Sequence, residues 1–598
     1  MKIAYRSHIL RRMMGYLSLS IGIGLATPMS YALESAEANP ALTPSPTLAP
    51  IDPLSPVVES TPPTEPAVPE VVLAPPETPF AKQLAQQLAQ PTVILKTANK
   101  TLQSVEQQKQ LYSHRAYNPV WTNEHTLTAQ GKALLNTLAQ AELEGLNPEV
   151  YSVSLLQRLT TQYPNTLEAL AELEMLYTDA FLLYGSHVHD GRINPKTVNK
   201  EWYIAPEIPW DGVSALENAL SSAQPMDAFL ASLPPPHLEY ARLRTALKVY
   251  NDYLKTAGDW VTLPLGKKIQ PNERSPQIKL LRERLRFSGE LTDESKRTDE
   301  ELYDNKLVNA MKSFQIRHGL ADDGVLGDSS RKMLNISLAE RIEQIKLNME
   351  RWRWVPRDFG EQYILVNIPA YRLDVYEHGK RIYDMKVMVG RTDRNTPIFT
   401  EKMTYLVLNP HWGVPYSIAV KDILPKLRKD ASYLSRQNMR VFANGTELNG
   451  QAINWSQVSS SNFPYQLRQN PGDGNALGKI KFMFPNKFSI YLHDTPKRSL
   501  FGLNDRALSS GCIRVEQPLN LASYVLGNSD KWNKDSIQKA IQSGKHRIVN
   551  LDQPLPVYLL YWTAWIDDEG TMQFRDDIYQ HDERSLQALT KLQVVARK

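Results

Sequence analysis

The sequence predicts a multidomain α+β chain. A helical scaffold spans 80–270, a small three-helix unit spans 275–335, and a mostly β domain with an inserted helical lid spans 340–598. Three observations predict it. Apolar residues recur at spacings of three and four up to about residue 270. Short amphipathic runs with glycine stops follow. From about Gln362 the pattern turns to alternation rich in Val, Ile and Tyr, which is strand texture.

A chain of 598 residues can bury more than one core. Its 42% hydrophobic and 22% charged residues exclude a wholly disordered chain, a collagen and a polytopic membrane protein. The balance of 68 Lys and Arg against 64 Asp and Glu gives no mandate for nucleic acid as a partner. Cys512 is the single cysteine, so no intramolecular disulfide is available. A lone thiol is either a small buried hydrophobe or a reactive group.

The N-terminus reads as an address. Lys2, Arg6, Arg11 and Arg12 precede an apolar run from Met13 to about Ala26, and Ser30-Tyr31-Ala32 supplies small residues at a cleavage site. This is the layout of a secretory signal peptide over 1–32. An uncleaved inner-membrane anchor is the alternative, although the run is short for a span of ~20 residues. Export with one thiol suits a bacterial envelope enzyme. Residues 33–79 hold 13 of the 41 prolines, all between Pro40 and Pro79. They read as a disordered, semi-rigid tether.

In the scaffold, ALLNTLAQAELEGL and LEALAELEMLYTDAFLLYG have helical spacing, with Gly145 and Gly185 near their ends. Pro234-Pro235-Pro236 breaks the pattern. His187 and His189 in HVHDGR lack further ligands nearby, so they read as packed or surface histidines and no metal is expected. In the three-helix unit, IKLLRERLRFSG and LVNAMKSFQIRHGL are amphipathic. Leu307, Ala310, Met311 and Phe314 share one face, and Asp323-Gly324 and Gly327-Asp328 punctuate the turn that follows. In the β domain, His378-Gly379 joins two strands as a hairpin, and KIKFMFPNKFSIYLHDTP is a second hairpin turning at Pro485-Asn486-Lys487. The polar, helical stretch between them, 416–478, reads as a lid over a site. Trp352 and Trp354 read as packing for the lead-in to this domain.

The chemistry gathers in YLHDTPKRSLFGLNDRALSSGCIRVEQP. A nucleophilic thiol needs access and a base or cation that favours its thiolate. His493, at a strand end nineteen residues before Cys512, is the candidate base. A backbone carbonyl, that of Asp494, is the candidate that fixes its tautomer. Gly511 allows a tight turn, and the amides around Gly511 and Cys512 can face an oxyanion. Arg514 adds fixed positive charge, and Ser509 completes the block. Spacing alone leaves a buried structural cysteine open. Tyr491, His411, Trp412 and Arg506 lie in or near the motif strands and loops as candidate substrate contacts, with core packing the competing role for the aromatic ones.

Two stretches resemble known families. AMKSFQIRHGLADDGVLGDSSRKMLN resembles the three-helix kind of peptidoglycan-binding domain, through its Phe-Gln, Gly-Leu, Asp-Gly-x-x-Gly and final Leu-Asn. The stretch from His493 to Arg514 resembles the active-site signature of the L,D-transpeptidase family, a His-bearing strand end followed by Ser-x-Gly-Cys-x-Arg. His493 matches the family's general base and Cys512 its nucleophile, with Ser509, Gly511 and Arg514 in the surrounding block. Ser510 stands where many members have a second histidine. The order of export signal, helical scaffold, peptidoglycan-binding domain and catalytic domain with a lid is similar to the large periplasmic subgroup.

The resemblance implies the substrate, the peptidoglycan stem peptide and its glycan strands. It implies attack by Cys512 on the carbonyl of the third residue of a tetrapeptide stem, release of D-Ala, and resolution of the thioester by a neighbouring stem's amine in a 3→3 cross-link. No cofactor is expected. Carbapenems are expected to acylate Cys512, and other cell-wall synthases are possible partners. Water as acceptor would make the enzyme a carboxypeptidase, and a lipoprotein lysine would make it an anchoring enzyme. Papain-like hydrolases place Cys before His, and sortases place His much further upstream. A non-catalytic peptidoglycan-binding envelope scaffold is the alternative of another class.

Overall fold

The computed structural model describes residues 75–595 apart from Ala98, 205–208, 293–298 and Asn528. The expected signal segment 1–32 and all but the end of the linker 33–79 lie outside the described residues. The helix Pro79–Leu88 starts where that linker ends. Thr78 caps it by accepting from the Ala81 amide, and Pro79 takes the first helical position, where a missing N–H costs nothing.

The N-terminal helices pack around Leu167–His189, which is buried on nearly every side through its middle. A helix apolar all round belongs at the centre of its bundle. Glu174 on this helix is fully buried. It accepts from the amides of Val120 and Thr122 and from the hydroxyls of Thr122 and Tyr112, so one carboxylate ties the preceding loop down. Burial raises its pKa. His187 meets the Tyr151 hydroxyl at 3.0 Å, and burial pushes it down to about 4, so it packs as a neutral ring. The helix Leu238–Ala257 carries the expected scaffold onto the β domain. Its Tyr240, Leu243 and Leu247 join the core of the β domain, and it packs along the helix Leu338–Trp352.

The helices Gln277–Ser288, Asn305–Arg317 and Asp328–Leu334 enclose a separate small core. Gln315 locks its turn, donating to Asp323 at 2.8 Å while accepting from the Gly324 amide at 2.8 Å. Arg317 donates to the Met572 carbonyl and Arg575 to the Arg317 carbonyl, which fastens this unit to the C-terminal hairpin Ala564–Ile566 and Met572–Phe574.

The β domain is built on a nine-stranded sheet. Its strand order runs Ala507–Ser509, Lys380–Gly390, Ile513–Val515, Leu492–His493, Ile480–Met483, Phe399–Leu408, Arg547–Leu560, Gln362–Asn367, Arg372–Glu377. Arg372–Glu377 also pairs with Lys380–Gly390, so the sheet closes on itself and leaves few free edges. The expected hairpin at His378-Gly379 is present, with both residues at positive φ. Trp352 stacks on Trp562 and Trp354 meets Trp202 edge-on, sealing the lead-in.

The lid differs from its expected helical character. Short helices at Tyr416–Ile418, Leu424–Lys429 and Tyr433–Arg436 pack against a four-stranded sheet of Trp412–Gly413, Gln466–Gln469, Met439–Ala443 and Thr446–Leu448. It has its own core around Leu424, Leu427, Val441 and Trp455. The physical reason lies in Asn444-Gly445, both at positive φ, a two-residue turn that favours a hairpin.

Candidate active site

Strand register assembles the site. Lys481 stands directly across from His493 in an antiparallel pair, and His493 directly across from Arg514 in a parallel pair. Partners across a sheet share a face, and residues two apart on a strand share it too. One face therefore carries Lys481, Tyr491, His493, Cys512 and Arg514. The contacts agree: the Lys481 ammonium lies 3.8 Å from the Tyr491 ring centre, and the Tyr491 and His493 rings are 5.7 Å apart.

His493 is buried, and its Nδ1 lies 2.5 Å from the carbonyl oxygen of Asp494. Donation from Nδ1 leaves Nε2 as the lone-pair nitrogen. Burial first, and the Arg514 charge second, push this imidazole down to about 3, so it is neutral near pH 7 and able to accept a proton. The Asp494 carboxylate is engaged elsewhere. It accepts from the Lys479 and Thr495 amides and from Arg498, so only its main-chain oxygen serves the histidine.

Gly511 has φ 112°, and a Cβ there would meet Ile490 at 3.0 Å. Only glycine holds this conformation without strain. Its amide donates to the Ser509 hydroxyl at 3.1 Å, so Ser509 shapes the turn that presents the thiol. The half-buried Cys512 has its sulfur 3.7 Å from the Ser489 carbonyl and in contact with the backbone and hydroxyl of Tyr491. Burial raises the thiol above its ordinary value.

Register puts Tyr491 opposite Cys512, with His493 one step further along on the same face. The resting pair is a neutral thiol and a neutral imidazole rather than an ion pair. Burial also lowers Lys481 and Arg514, and among the described residues neither forms an ion pair with a carboxylate. The face is therefore positively charged and open to an anionic group.

The other predicted contacts divide. Tyr491 is in the site, and the Trp412 side chain reaches its hydroxyl. Arg506 is corrected. It is buried and donates to the carbonyls of Val387, Leu503 and Tyr371, so its guanidinium fastens a loop to the sheet instead of facing substrate. His411 is exposed, and its ring lies 5.3 Å from that of His546. Sequence reasoning missed Lys481, although the hairpin it recognised places Lys481 opposite His493 once the strands are paired. It also missed Arg394, which donates to the Ser510 hydroxyl at 2.9 Å, and Thr396, which donates to the Gly511 carbonyl at 2.7 Å; no local motif marks either.

Residues 361–549 match the family described as "L,D-transpeptidase catalytic domain". Residues 274–334 match "Putative peptidoglycan binding domain", and residues 106–247 match "Scaffold domain". A Haemophilus influenzae protein named "Putative L,D-transpeptidase" is 38% identical over 241 residues, 40% of this chain and 48% of that protein. The chain thus spans about half the length of this curated relative. Among solved structures, an L,D-transpeptidase from Mycobacterium smegmatis has 14% identity and a TM-score of 0.17, covering 33% of this chain and 58% of that one. An L,D-transpeptidase from Xylanimonas cellulosilytica has 16% identity and a TM-score of 0.16, covering 50% of this chain and 99% of that one.

Proposed function

We propose that this chain, which carries an L,D-transpeptidase catalytic domain beside a peptidoglycan-binding domain, forms 3→3 cross-links between peptidoglycan stem peptides. The observation that carries the reading is the single sheet face bearing Cys512, His493, Tyr491, Lys481 and Arg514 within the matched domain.

The chemistry follows from those groups. Turning about its Cα–Cβ bond moves the Cys512 sulfur from Ser489 toward the histidine. His493 takes the thiol proton as sulfur bonds to the carbonyl carbon of the third stem residue. The Cys512 amide, with the Tyr491 hydroxyl, faces the developing oxyanion. The tetrahedral adduct collapses to a thioester, and D-Ala leaves with the proton from His493. A neighbouring stem's side-chain amine then attacks, His493 takes its proton, and the thiol is regenerated. Lys481 and Arg514 draw the stem's carboxylates to this face. An amide is exchanged for an amide, so no energy source enters. Carbapenems are expected to acylate the same thiol.

The lid limits water access to the thioester. The peptidoglycan-binding domain holds the enzyme on its polymer, and the N-terminal segment directs export to the periplasm. Because the thiol is half-buried rather than enclosed, water is the competing acceptor, and its product is a tripeptide. Incubation of the full chain with disaccharide-tetrapeptide separates the two outcomes. A dimer lacking one D-Ala supports cross-linking, whereas tripeptide alone assigns a carboxypeptidase.

A further inference from the structure

Thr396 is fully buried, and its hydroxyl donates to the Gly511 carbonyl at 2.7 Å. The same oxygen accepts from the Gly390 amide at 2.9 Å, so the hydroxyl has one direction left in which to donate. Tyr579 completes the bracket, donating to the Gly390 carbonyl at 2.5 Å while its oxygen accepts from the Thr396 amide at 3.3 Å.

We propose that Thr396 is a positioning residue, holding the Gly511–Cys512 peptide so that the Cys512 amide faces the developing oxyanion, and that the scaffold segment 201–203 holds Thr396. The inference rests on the thioester reading above. A trans peptide points its N–H opposite to its C=O. Fixing the Gly511 oxygen therefore aims the Cys512 amide. Among the described residues that amide has no acceptor. Gly511, at φ 112°, imposes no direction of its own, because glycine tolerates many backbone conformations. The aim must come from a neighbour.

The scaffold supplies the support. Asn395 donates to both oxygens of Glu201, at 2.9 and 3.1 Å. The Ile398 amide donates to the Glu201 carbonyl, and the Tyr203 amide to the Ile398 carbonyl, so the loop is gripped on both sides of Thr396. Tyr203 also packs on Phe488 at 4.4 Å, next to Ser489, whose carbonyl faces the thiol. Glu201 and Tyr203 lie within the matched scaffold domain, which thus reaches the nucleophile from two directions.

The test compares full-chain wild type, Thr396→Val, Thr396→Ser and Asn395→Ala. Each is mixed with disaccharide-tetrapeptide, and acylation of Cys512 is followed by intact mass. Iodoacetamide alkylation runs beside it, because that displacement forms no oxyanion. Thr396→Val is expected to slow acylation about 10- to 100-fold, below the loss of a whole oxyanion donor, with alkylation within about twofold. Thr396→Ser is expected to restore most of the rate, and Asn395→Ala to slow acylation several-fold. Acylation of Thr396→Val at the wild-type rate would overturn the proposal, as would parallel loss of acylation and alkylation. An unchanged Asn395→Ala would overturn the scaffold's part. Wild type that alkylates but never acylates removes the thioester reading, and this inference with it.

Discussion

Arg394 grips Asp422 of the lid at 2.5 and 2.9 Å, and the same guanidinium donates to Ser510 at 2.9 Å, one residue before Gly511. One side chain thus joins the lid to the nucleophile turn. Ser510 stands where the resemblance expects a second histidine, and here it serves this latch.

Asp422→Asn is expected to loosen the lid. Asp422 is about one-third exposed, so the pair is a near-surface one worth roughly 1 kcal/mol or less. Alkylation of Cys512 by iodoacetamide should accelerate about 2- to 5-fold, the range that such an energy allows. An unchanged rate would mean that this latch does not govern access to the thiol.

The site's ionisation sets its pH profile. His493 is held down to about 3, so acidification from neutral pH leaves it able to accept a proton until that value is approached. The thiol is raised, so its thiolate increases only as pH climbs past its ordinary value. Acylation by tetrapeptide should be flat between about pH 5 and 8, and alkylation should rise through about pH 9 without an earlier plateau. An acid limb near about pH 6.5, where an unperturbed histidine titrates, would contradict this.

Gly511→Ala should abolish acylation while leaving the fold intact. A Cβ at φ 112° is strained and meets Ile490 at 3.0 Å, so the turn must move. Loss of about 100-fold or more is expected, comparable to removal of an oxyanion donor. Near-normal acylation with unchanged circular dichroism would show that the turn has freedom the structure does not display.

Arg506→Lys should act on stability instead of on substrate. A lysine cannot reach the three carbonyls of Val387, Leu503 and Tyr371 together. A loss of about 1–3 kcal/mol is expected in denaturant unfolding of the β domain. Unchanged stability with a raised KM for tetrapeptide would restore Arg506 as a substrate contact.

Much of this site was legible in the sequence because its chemistry is local. Cys512, His493 and Gly511 stand in one motif, and Tyr491 precedes His493 on the same strand by the two residues that keep it on one face. The carbonyl of Asp494 is adjacent in the chain to the ring it holds. The rest depends on register and distant approach. Lys481 enters only when its strand pairs with that of His493. Thr396 meets Gly511 across 115 residues, and Asn395 meets Glu201 across 194. No periodicity encodes such contacts. Arg506 turns to three backbone carbonyls instead, because proximity to a motif along the chain does not say which way a side chain turns. The lid's hairpin was marked by Asn444-Gly445, a local signal outweighed by the helical texture before it.

The most direct test of the account is the intact mass of the full chain after brief mixing with disaccharide-tetrapeptide. The account predicts an adduct of the disaccharide-tripeptide acyl group, mapped to Cys512, with free D-Ala released in equal amount and neither seen with Cys512→Ala. Release of D-Ala by Cys512→Ala, or its release by wild type with the acyl group mapped to another residue, would contradict it.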